Sequence, residues 1–95
     1  MANVVVTPTA AADLATLIRT HSLPADTTSR FKRSVAALVR FPLLGAALHG
    51  QWASYRFVLG LWRWMIVVYI YDEPADRVAI VTIQDARSGR ASASA

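Results

Sequence analysis

Residues 55–72 read YRFVLGLWRWMIVVYIYD, and this nearly uncharged stretch decides the fold. Arg56 and Arg63 carry the only charges in it before Asp72. A membrane-spanning helix needs about 20 consecutive apolar residues, and an arginine at its centre costs about 2.5 to 3.5 kcal/mol. Only eight residues separate Arg63 from Asp72. Both length and charge therefore exclude a lipid-embedded helix.

The residue types favour two β-strands instead. Trp64–Tyr71 is rich in β-branched and aromatic side chains, which suit a pleated surface. Its lack of polar alternation predicts a central strand that is covered on both faces. Trp52–Leu59 is also strand-like, and Gly60 lies where a tight turn favours positive φ. We therefore predict a hairpin around Gly60.

The rest of the chain completes a layered domain. Arg77–Gln84 predicts a further strand after a turn, and Asn3–Val6 predicts a strand at the N-terminus. Two helices are predicted between them, the first starting at Thr7 and Pro8 and the second running from the Pro24–Thr28 region to Pro42. Their apolar stripes comprise Ala11, Leu14, Leu17 and Ile18 in the first helix and Phe31, Val35, Leu38 and Val39 in the second.

The predicted fold class is therefore α+β, in the order β-α-α-β-β-β. The N-terminal strand joins a mainly antiparallel sheet, and the two-helix hairpin packs on one face of that sheet. We predict one domain over residues 1–88. Residues 89–95 are small and polar, so we expect a flexible tail there.

The charges are distributed unevenly. Residues 27–71 contain no acidic side chain, while six positive charges fall in that interval: Arg30, Lys32, Arg33, Arg40, Arg56 and Arg63. Such a segment attracts a polyanion or an acidic protein partner. The alternative is that these side chains form an ordinary solvated surface.

Several kinds of site find no support in the sequence. The chain has no cysteine, which excludes disulfides, thiolate zinc sites and a cysteine nucleophile. The glycine spacing matches no nucleotide-binding loop, and His21 and His49 do not form a helical metal-binding pair. We expect no cofactor, no metal, no membrane contact and no small-molecule substrate. The N-terminus lacks the features of a signal peptide, so we expect a cytoplasmic protein.

Arginines at the predicted sheet are the best candidates for a binding site. Arg56 and Arg63 flank the hairpin turn, and Arg87 follows the last strand. With helices on one face, we expect these side chains to turn to the other face or its rim, where a guanidinium can bind phosphate bidentately. His49 lies in a predicted loop before Arg56. It is a candidate general base, and the alternative is that it is an ordinary surface residue. Four aromatic residues could stack on bases or belong to the core or a partner surface: Trp52, Tyr55, Trp62 and Trp64.

Together these features resemble the RelE/ParE superfamily of bacterial toxins, over about residues 3 to 88. The resemblance rests on the order β-α-α-β-β-β and on a series of short motifs. They are PLLG at 42–45, LHG at 48–50, YR at 55–56, GLWR at 60–63, VY at 68–69 and VTIQDAR at 81–87.

The resemblance implies a growth-arresting toxin of a type II toxin–antitoxin module, neutralised by a cognate antitoxin. RelE-like members cleave mRNA on the ribosome, where basic residues bind the scissile phosphate and the 2′-hydroxyl attacks it. ParE-like members share the fold but inhibit DNA gyrase and do not cut RNA. In the RelE-like pattern, Arg56, Arg63 and Arg87 match basic, phosphate-binding positions.

One departure decides between these two activities. Some RelE-like members have a tyrosine six residues beyond the position of Arg87, and this chain has Ala93 there. We therefore favour a ParE-like toxin that acts on gyrase. Whether the protein is an enzyme stays open, because a ParE-like toxin is none and a RelE-like toxin is an mRNA endoribonuclease. The alternative is a RelE-like, ribosome-dependent mRNA endonuclease, with His49, Tyr55 or Asp85 replacing the missing tyrosine. A non-toxic basic module that binds nucleic acid or protein is a third hypothesis.

Overall fold

A computed structural model describes residues 1–87 of the chain. In chain order the strands are β1 (Asn3–Val6), β2 (Ala46–Ala47), β3 (Tyr55–Leu59), β4 (Met65–Asp72) and β5 (Arg77–Asp85), and the helices are α1 (Pro8–Thr20), α2 (Thr27–Ser34) and α3 (Ala37–Arg40). The predicted flexible tail at 89–95 and the domain boundary at 88 lie outside the described residues.

The two strands predicted around Gly60 are present, and they are neighbours in a five-stranded sheet. The strand order is β1-β5-β4-β3-β2; β1 runs parallel to β5, and every other pair is antiparallel. This confirms the predicted α+β fold and its element order. Within residues 1–87, no helix is long and apolar enough to cross a membrane.

The first helix is held at its start by a capping threonine. Thr7 Oγ1 accepts a hydrogen bond from Ala10 N at 3.2 Å, and Pro8 occupies the first helical turn, where its missing N–H costs nothing. The same hydroxyl donates to Ile80 O at 2.7 Å. Thr7 therefore both starts α1 and ties it to β5.

The predicted second helix is interrupted. It ends as α2 at Ser34 and resumes as α3 at Ala37. The Ser34 hydroxyl donates to Phe31 O at 2.7 Å, and such side-chain bonds to a helix carbonyl compete with helical pairing. The predicted apolar stripe nevertheless keeps its direction, because Phe31 and Leu38 are both buried.

The helices cover only one face of the sheet. On β4, Met65, Val67 and Tyr69 are fully buried, whereas Ile66 and its neighbours on the opposite face are only half-buried. The prediction that both faces of this strand are covered is therefore wrong. The apolar run of β4 is unbroken because the residues on its second face are apolar too. No layer formed by residues 1–87 covers that second face.

The turn between β3 and β4 also differs from the prediction. It spans residues 60–64, and Gly60 does not have positive φ. Gly60 N donates to Met65 O at 2.8 Å, and a Cβ on Gly60 would lie 2.5 Å from the Met65 sulfur. Close packing rather than φ favours glycine here. Gly50–Trp52 forms a 3₁₀ turn, so the strand predicted from Trp52 begins only at Tyr55.

Candidate functional site

Four side chains converge at the end of the sheet where β4 begins and β5 ends. His21 follows α1, Trp64 precedes β4, and Asp85 and Arg87 lie at the end of β5. Asp85 is opposite Met65 in the strand register, and Ala86 N donates to Trp64 O at 2.7 Å. We call His21, Trp64, Asp85 and Arg87 the Asp85 cluster.

The carboxylate of Asp85 is the centre of this cluster. Its Oδ2 lies 2.8 Å from His21 Nε2 and 3.2 Å from Arg87 Nη2, and its Oδ1 lies 3.1 Å from Arg87 Nε and 2.8 Å from Arg87 N. Hydrogen bonds from the Arg87 guanidinium, and then from its main-chain N–H and from His21, hold the pKa of Asp85 well below its usual range. Asp85 is therefore ionised, and it raises the pKa of Arg87 in return.

His21 is held on several sides. Its main-chain N–H donates to Leu17 O at the end of α1, and its Nδ1 lies 2.8 Å from Thr20 Oγ1. Because an ionised carboxylate can only accept, Nε2–H donates a hydrogen bond to Asp85 Oδ2. In the neutral ring, Nδ1 then keeps a lone pair that accepts from the Thr20 hydroxyl.

A column of stacked rings supports the cluster. The His21 and Trp64 rings are 4.8 Å apart and nearly parallel, and the Trp62 and Trp64 rings are stacked at 5.7 Å. The Arg87 guanidinium lies 5.0 Å from the Trp64 ring centre, and that of Arg30 lies 5.9 Å from Trp62. Both tryptophans also pack against the core. Their first role is thus to fix His21 and Arg87.

Arg56 has a different environment. It is opposite Tyr69 in the register, so it points to the same face as the helices. Its Nη1 donates to Gly45 O at 2.7 Å and to Leu43 O at 3.4 Å. Of the two places predicted for Arg56, the other face or its rim, the structure excludes the other face, because the loop before β2 offers carbonyl acceptors on the helix side. Its role as a phosphate ligand stays a prediction.

The structure does not bring the three predicted arginines together. Tyr69, opposite Arg56, lies four residues along β4 from Met65, which is opposite Asp85. That separation is about 13 Å along the strand. Arg63 is exposed in the turn next to Trp64, so it adjoins the Asp85 cluster in the chain but lies outside the strands. The roles of Arg63 and Arg87 in phosphate binding also stay predictions.

His49 lies toward the other end of β3. It is exposed and precedes the 3₁₀ turn, and the adjacent Leu48 N donates to Tyr55 O at 3.0 Å. Tyr55 is opposite Ile70. Ile70 lies one residue beyond Tyr69 on β4, in the direction away from the Asp85 cluster. Trp52 is also exposed and contacts Tyr55 edge-on at 5.8 Å. A general-base role for His49 stays a prediction, and the structure places it apart from Arg87.

An open cleft of about 560 Å³ lies between α1 and β5, beside His21. Asp13 lines it and accepts from the Thr82 hydroxyl at 2.6 Å and from Ile83 N at 3.2 Å. The pairing of β5 with β1 ends at Ile80, so Asp13 supplies the hydrogen-bond acceptor that the Ile83 N–H lacks from β1. Among residues 1–87, no group of three or more His, Cys, Asp or Glu side chains could hold a metal ion.

The positive charges of residues 27–71 pair with no carboxylate among the described residues 1–87. Over residues 1–87 the ion pairs join Met1 to Asp76, His21 to Asp85 and Arg87 to Asp85. Lys32, Arg33 and Arg63 are exposed. The surface of this segment is therefore cationic and available to an anionic partner.

The fold is that of RelE/ParE-type toxins. The structure of the RelBE2 toxin–antitoxin complex from Mycobacterium tuberculosis contains a chain that matches with a TM-score of 0.65 and 23% identity, over 88% of this chain and 96% of that one. The isolated RelE toxin of E. coli matches with a TM-score of 0.62 and 15% identity, over 99% of this chain and 95% of that one. The conserved hypothetical protein HP0894 from Helicobacter pylori matches with a TM-score of 0.55 and 15% identity, over 90% of this chain and 94% of that one.

No protein-family model and no curated protein matches the sequence. The likeness to these structures therefore concerns the arrangement of helices and strands, which the short motifs of the sequence had indicated.

Sequence reasoning passed over His21. The signal was weak, because 64 residues separate His21 from the Asp85 carboxylate that orients it. Two features pointed to the contact: a histidine at the end of the first helix, and a carboxylate just before the arginine that follows the last strand. Only the parallel pairing of β1 with β5 places α1 beside that strand end.

Proposed function

We propose that this protein is the growth-arresting toxin of a toxin–antitoxin pair and that it cleaves mRNA on the ribosome. The observation that carries the proposal is the Asp85 cluster, in which one carboxylate holds both a guanidinium and an imidazole. Two similar structures are a RelE toxin and a RelBE2 complex, which also supports this target. For that reason, RNA cleavage takes precedence over the gyrase activity favoured by the sequence alone.

Arg87 is suited to bind the scissile phosphate. Two nitrogens of its guanidinium bind Asp85, and Nη1 makes no hydrogen bond within residues 1–87. Its side chain is exposed, so that remaining edge can meet a phosphate oxygen. A guanidinium there stabilises the charge that develops on phosphorus as the 2′-hydroxyl attacks. Arg63, in the adjacent turn, is the second candidate ligand.

The cationic segment 27–71 supports an RNA partner in a general way. Its charges, which pair with no carboxylate in the part of the chain that the structure describes, raise the local concentration of a polyanion. Phosphate contacts of this kind weaken as salt increases. Lys32 and Arg33 on α2 are the exposed members that we expect to approach ribosomal RNA or message.

The proposed antitoxin has two apolar surfaces to cover. One is the sheet face opposite the helices, where Leu59 is 55% exposed. The other is the loop after α3, where Phe41, Leu43 and Leu44 are exposed. Patches of this kind on a small protein mark interaction sites. An amphipathic antitoxin segment with acidic residues would cover them and neutralise the nearby arginines.

Expression without a partner tests the toxin proposal. Induction should stop growth, and co-expression of a small acidic protein encoded beside this gene should restore it. Transcripts recovered after induction should carry new ends inside translated regions. Normal growth at a verified level of soluble protein would contradict the toxin proposal and would favour the non-toxic binding module.

Inhibition of gyrase is the second candidate function. It is favoured by Ala93, which replaces a tyrosine of some RelE-like members, and by the ion pair that already occupies Arg87. A purified protein that blocks gyrase supercoiling at micromolar concentration, while message on programmed ribosomes stays intact, would establish this function instead. The two assays therefore separate the targets.

A further inference from the structure

His21 has the environment of an acid–base residue. Its ring bridges a carboxylate at Nε2 and a hydroxyl at Nδ1, both at 2.8 Å. A hydroxyl, an imidazole and a carboxylate in series are the arrangement by which enzymes make a histidine a general base. In this chain the hydroxyl belongs to Thr20, which is exposed, so a substrate hydroxyl can take its place.

We propose that His21 is the general base of this protein, with Asp85 as its positioning residue and RNA as the substrate. This inference rests on the RNA cleavage proposed above. It assigns to His21 the role for which the sequence suggested His49, Tyr55 or Asp85.

The step that follows is a transesterification. Nδ1 of His21 takes the proton of a ribose 2′-hydroxyl, and the 2′-oxygen forms a bond to the adjacent phosphorus. The bond from phosphorus to the 5′-oxygen of the next nucleotide breaks, and that oxygen keeps the electron pair and takes a proton from water. The products are a 2′,3′-cyclic phosphate and a 5′-hydroxyl, and no oxidant, metal or cofactor takes part.

Two contacts fix the ring for this role, and a third fixes the carboxylate that holds it. Asp85 holds Nε2–H, which leaves the lone pair on Nδ1. Stacking on Trp64 restrains rotation of the ring. Arg87 is hydrogen-bonded to the same carboxylate, so the base and the phosphate-binding guanidinium lie on either side of Asp85. The cleft between α1 and β5 provides open space beside His21 and Asp85.

The groups that face His21 also determine how cleavage depends on pH. The anionic Asp85, at the end of β5, and the cationic Arg87, just after it, face the ring from one side. The uncharged Trp64 ring faces it from the turn before β4. On α1, Thr20 contacts the ring, and Asp13 lies further along the same cleft. Arg87 stays charged throughout the neutral range. A general base acts in its deprotonated form, so cleavage should rise with pH over the tested range, and the rise should depend on His21.

The test uses the full chain, ribosomes programmed with a short message, and the rate of cleavage from pH 5 to 8.5. We expect His21→Gln to cleave about 100-fold or more slowly than the wild type and to lose the pH-dependent limb. Added imidazole should restore part of the activity of His21→Gly. Asp85→Asn should also be slow, whereas Asp72→Asn, a carboxylate at the exposed end of β4, should match the wild type.

The outcomes separate the inference from the function on which it rests. Intact message with the wild type at every pH would overturn the proposed function and, with it, this inference. Cleavage by the wild type with a flat profile between pH 5 and 8 would overturn the inference alone, whether or not the variants fold. So would equal cleavage by His21→Gln, or loss of cleavage in His49→Gln with retention in His21→Gln. Thermal unfolding of each variant shows whether a lost rate reflects lost structure.

Discussion

Arg56 and Arg87 were equivalent candidates in the sequence, but their environments differ. Arg56 is half-buried and donates to two neutral main-chain carbonyls of the loop before β2. Arg87 is exposed and is paired with an ionised carboxylate that also holds His21. The first environment joins a loop to a strand. The second combines charges that can bind and activate a phosphodiester.

The comparison shows that the partner of an arginine says more about its role than its position in a motif. A guanidinium bonded to carbonyls is already committed to the fold, and removing Arg56 takes its donor from the part-buried Gly45 carbonyl. A guanidinium held on one side by a carboxylate keeps a free edge and a fixed orientation. Arg87 therefore belongs to the proposed site, and we expect Arg56 to act mainly in stability.

The largest effect is expected at Arg87. Arg87→Gln should lower RNA cleavage on programmed ribosomes by about 100-fold or more, because a charged donor aimed at the phosphate is lost. Thermal unfolding should change little, since the side chain is exposed. Arg77→Gln is the matched control, an exposed cation at the other end of the same strand, and it should keep the wild-type rate. Equal losses in the two variants would point to net charge rather than to this site.

The loop that Arg56 holds should be sensitive to its glycine. A Cβ on Gly45 would lie 2.5 Å from Phe57 O and 2.8 Å from Tyr69 Oη, and neither group can move freely. Gly45→Ala should therefore cost about 2 kcal/mol of unfolding free energy, as overpacking generally does. Urea unfolding measures this. Gly60→Ala should cost less, because its new Cβ would meet the flexible Met65 side chain. A larger loss of unfolding free energy in Gly60→Ala than in Gly45→Ala would show that the surroundings of Gly45 are not the more rigid of the two.

A smaller effect on stability is expected at Arg56. Arg56→Gln removes the donor to Gly45 O and should cost about 1 kcal/mol, the usual net value of such a bond. Chemical unfolding at neutral pH gives the number. An unchanged midpoint would mean that the carbonyls of this loop do not depend on Arg56.

Acid should weaken the contribution of Asp85 gradually. Its folded-state pKa is depressed by Arg87 and His21, so its stabilisation is complete above the unfolded pKa of about 3.9 and is lost as pH falls toward the folded value. The stability difference between the wild type and Asp85→Asn should narrow as pH falls below about 4, where the Asp85 carboxylate begins to lose its advantage over the unfolded chain. A difference that grows as pH falls below about 4 would contradict the assigned network.

The fold was largely predictable because it depends on local patterns. The run of β-branched residues in β4, the Thr7 cap and the stripe of Phe31 and Leu38 each act over a few residues. Breaks in these elements were harder to foresee. Ser34 ends α2 through its own hydroxyl, and Gly60 is required by the approach of Met65, which depends on strand register.

The site was less predictable because its contacts are long-range. His21 meets Asp85 across 64 residues, and Arg56 finds its acceptors only because the loop before β2 folds over the helix face. The sequence identified Arg87 from its position after the last strand, but it did not show which of the three arginines lies beside an oriented histidine. That assignment required the pairing of β1 with β5 and of β4 with β5.

The most direct test is the ratio of cleavage rates of Arg56→Gln and Arg87→Gln on programmed ribosomes, measured at equal folded fraction. If the Asp85 cluster is the catalytic end of the sheet, Arg56→Gln should cleave at least tenfold faster than Arg87→Gln. Equal rates, or a slower Arg56→Gln, would contradict the distinction between the two arginines on which the proposed site depends.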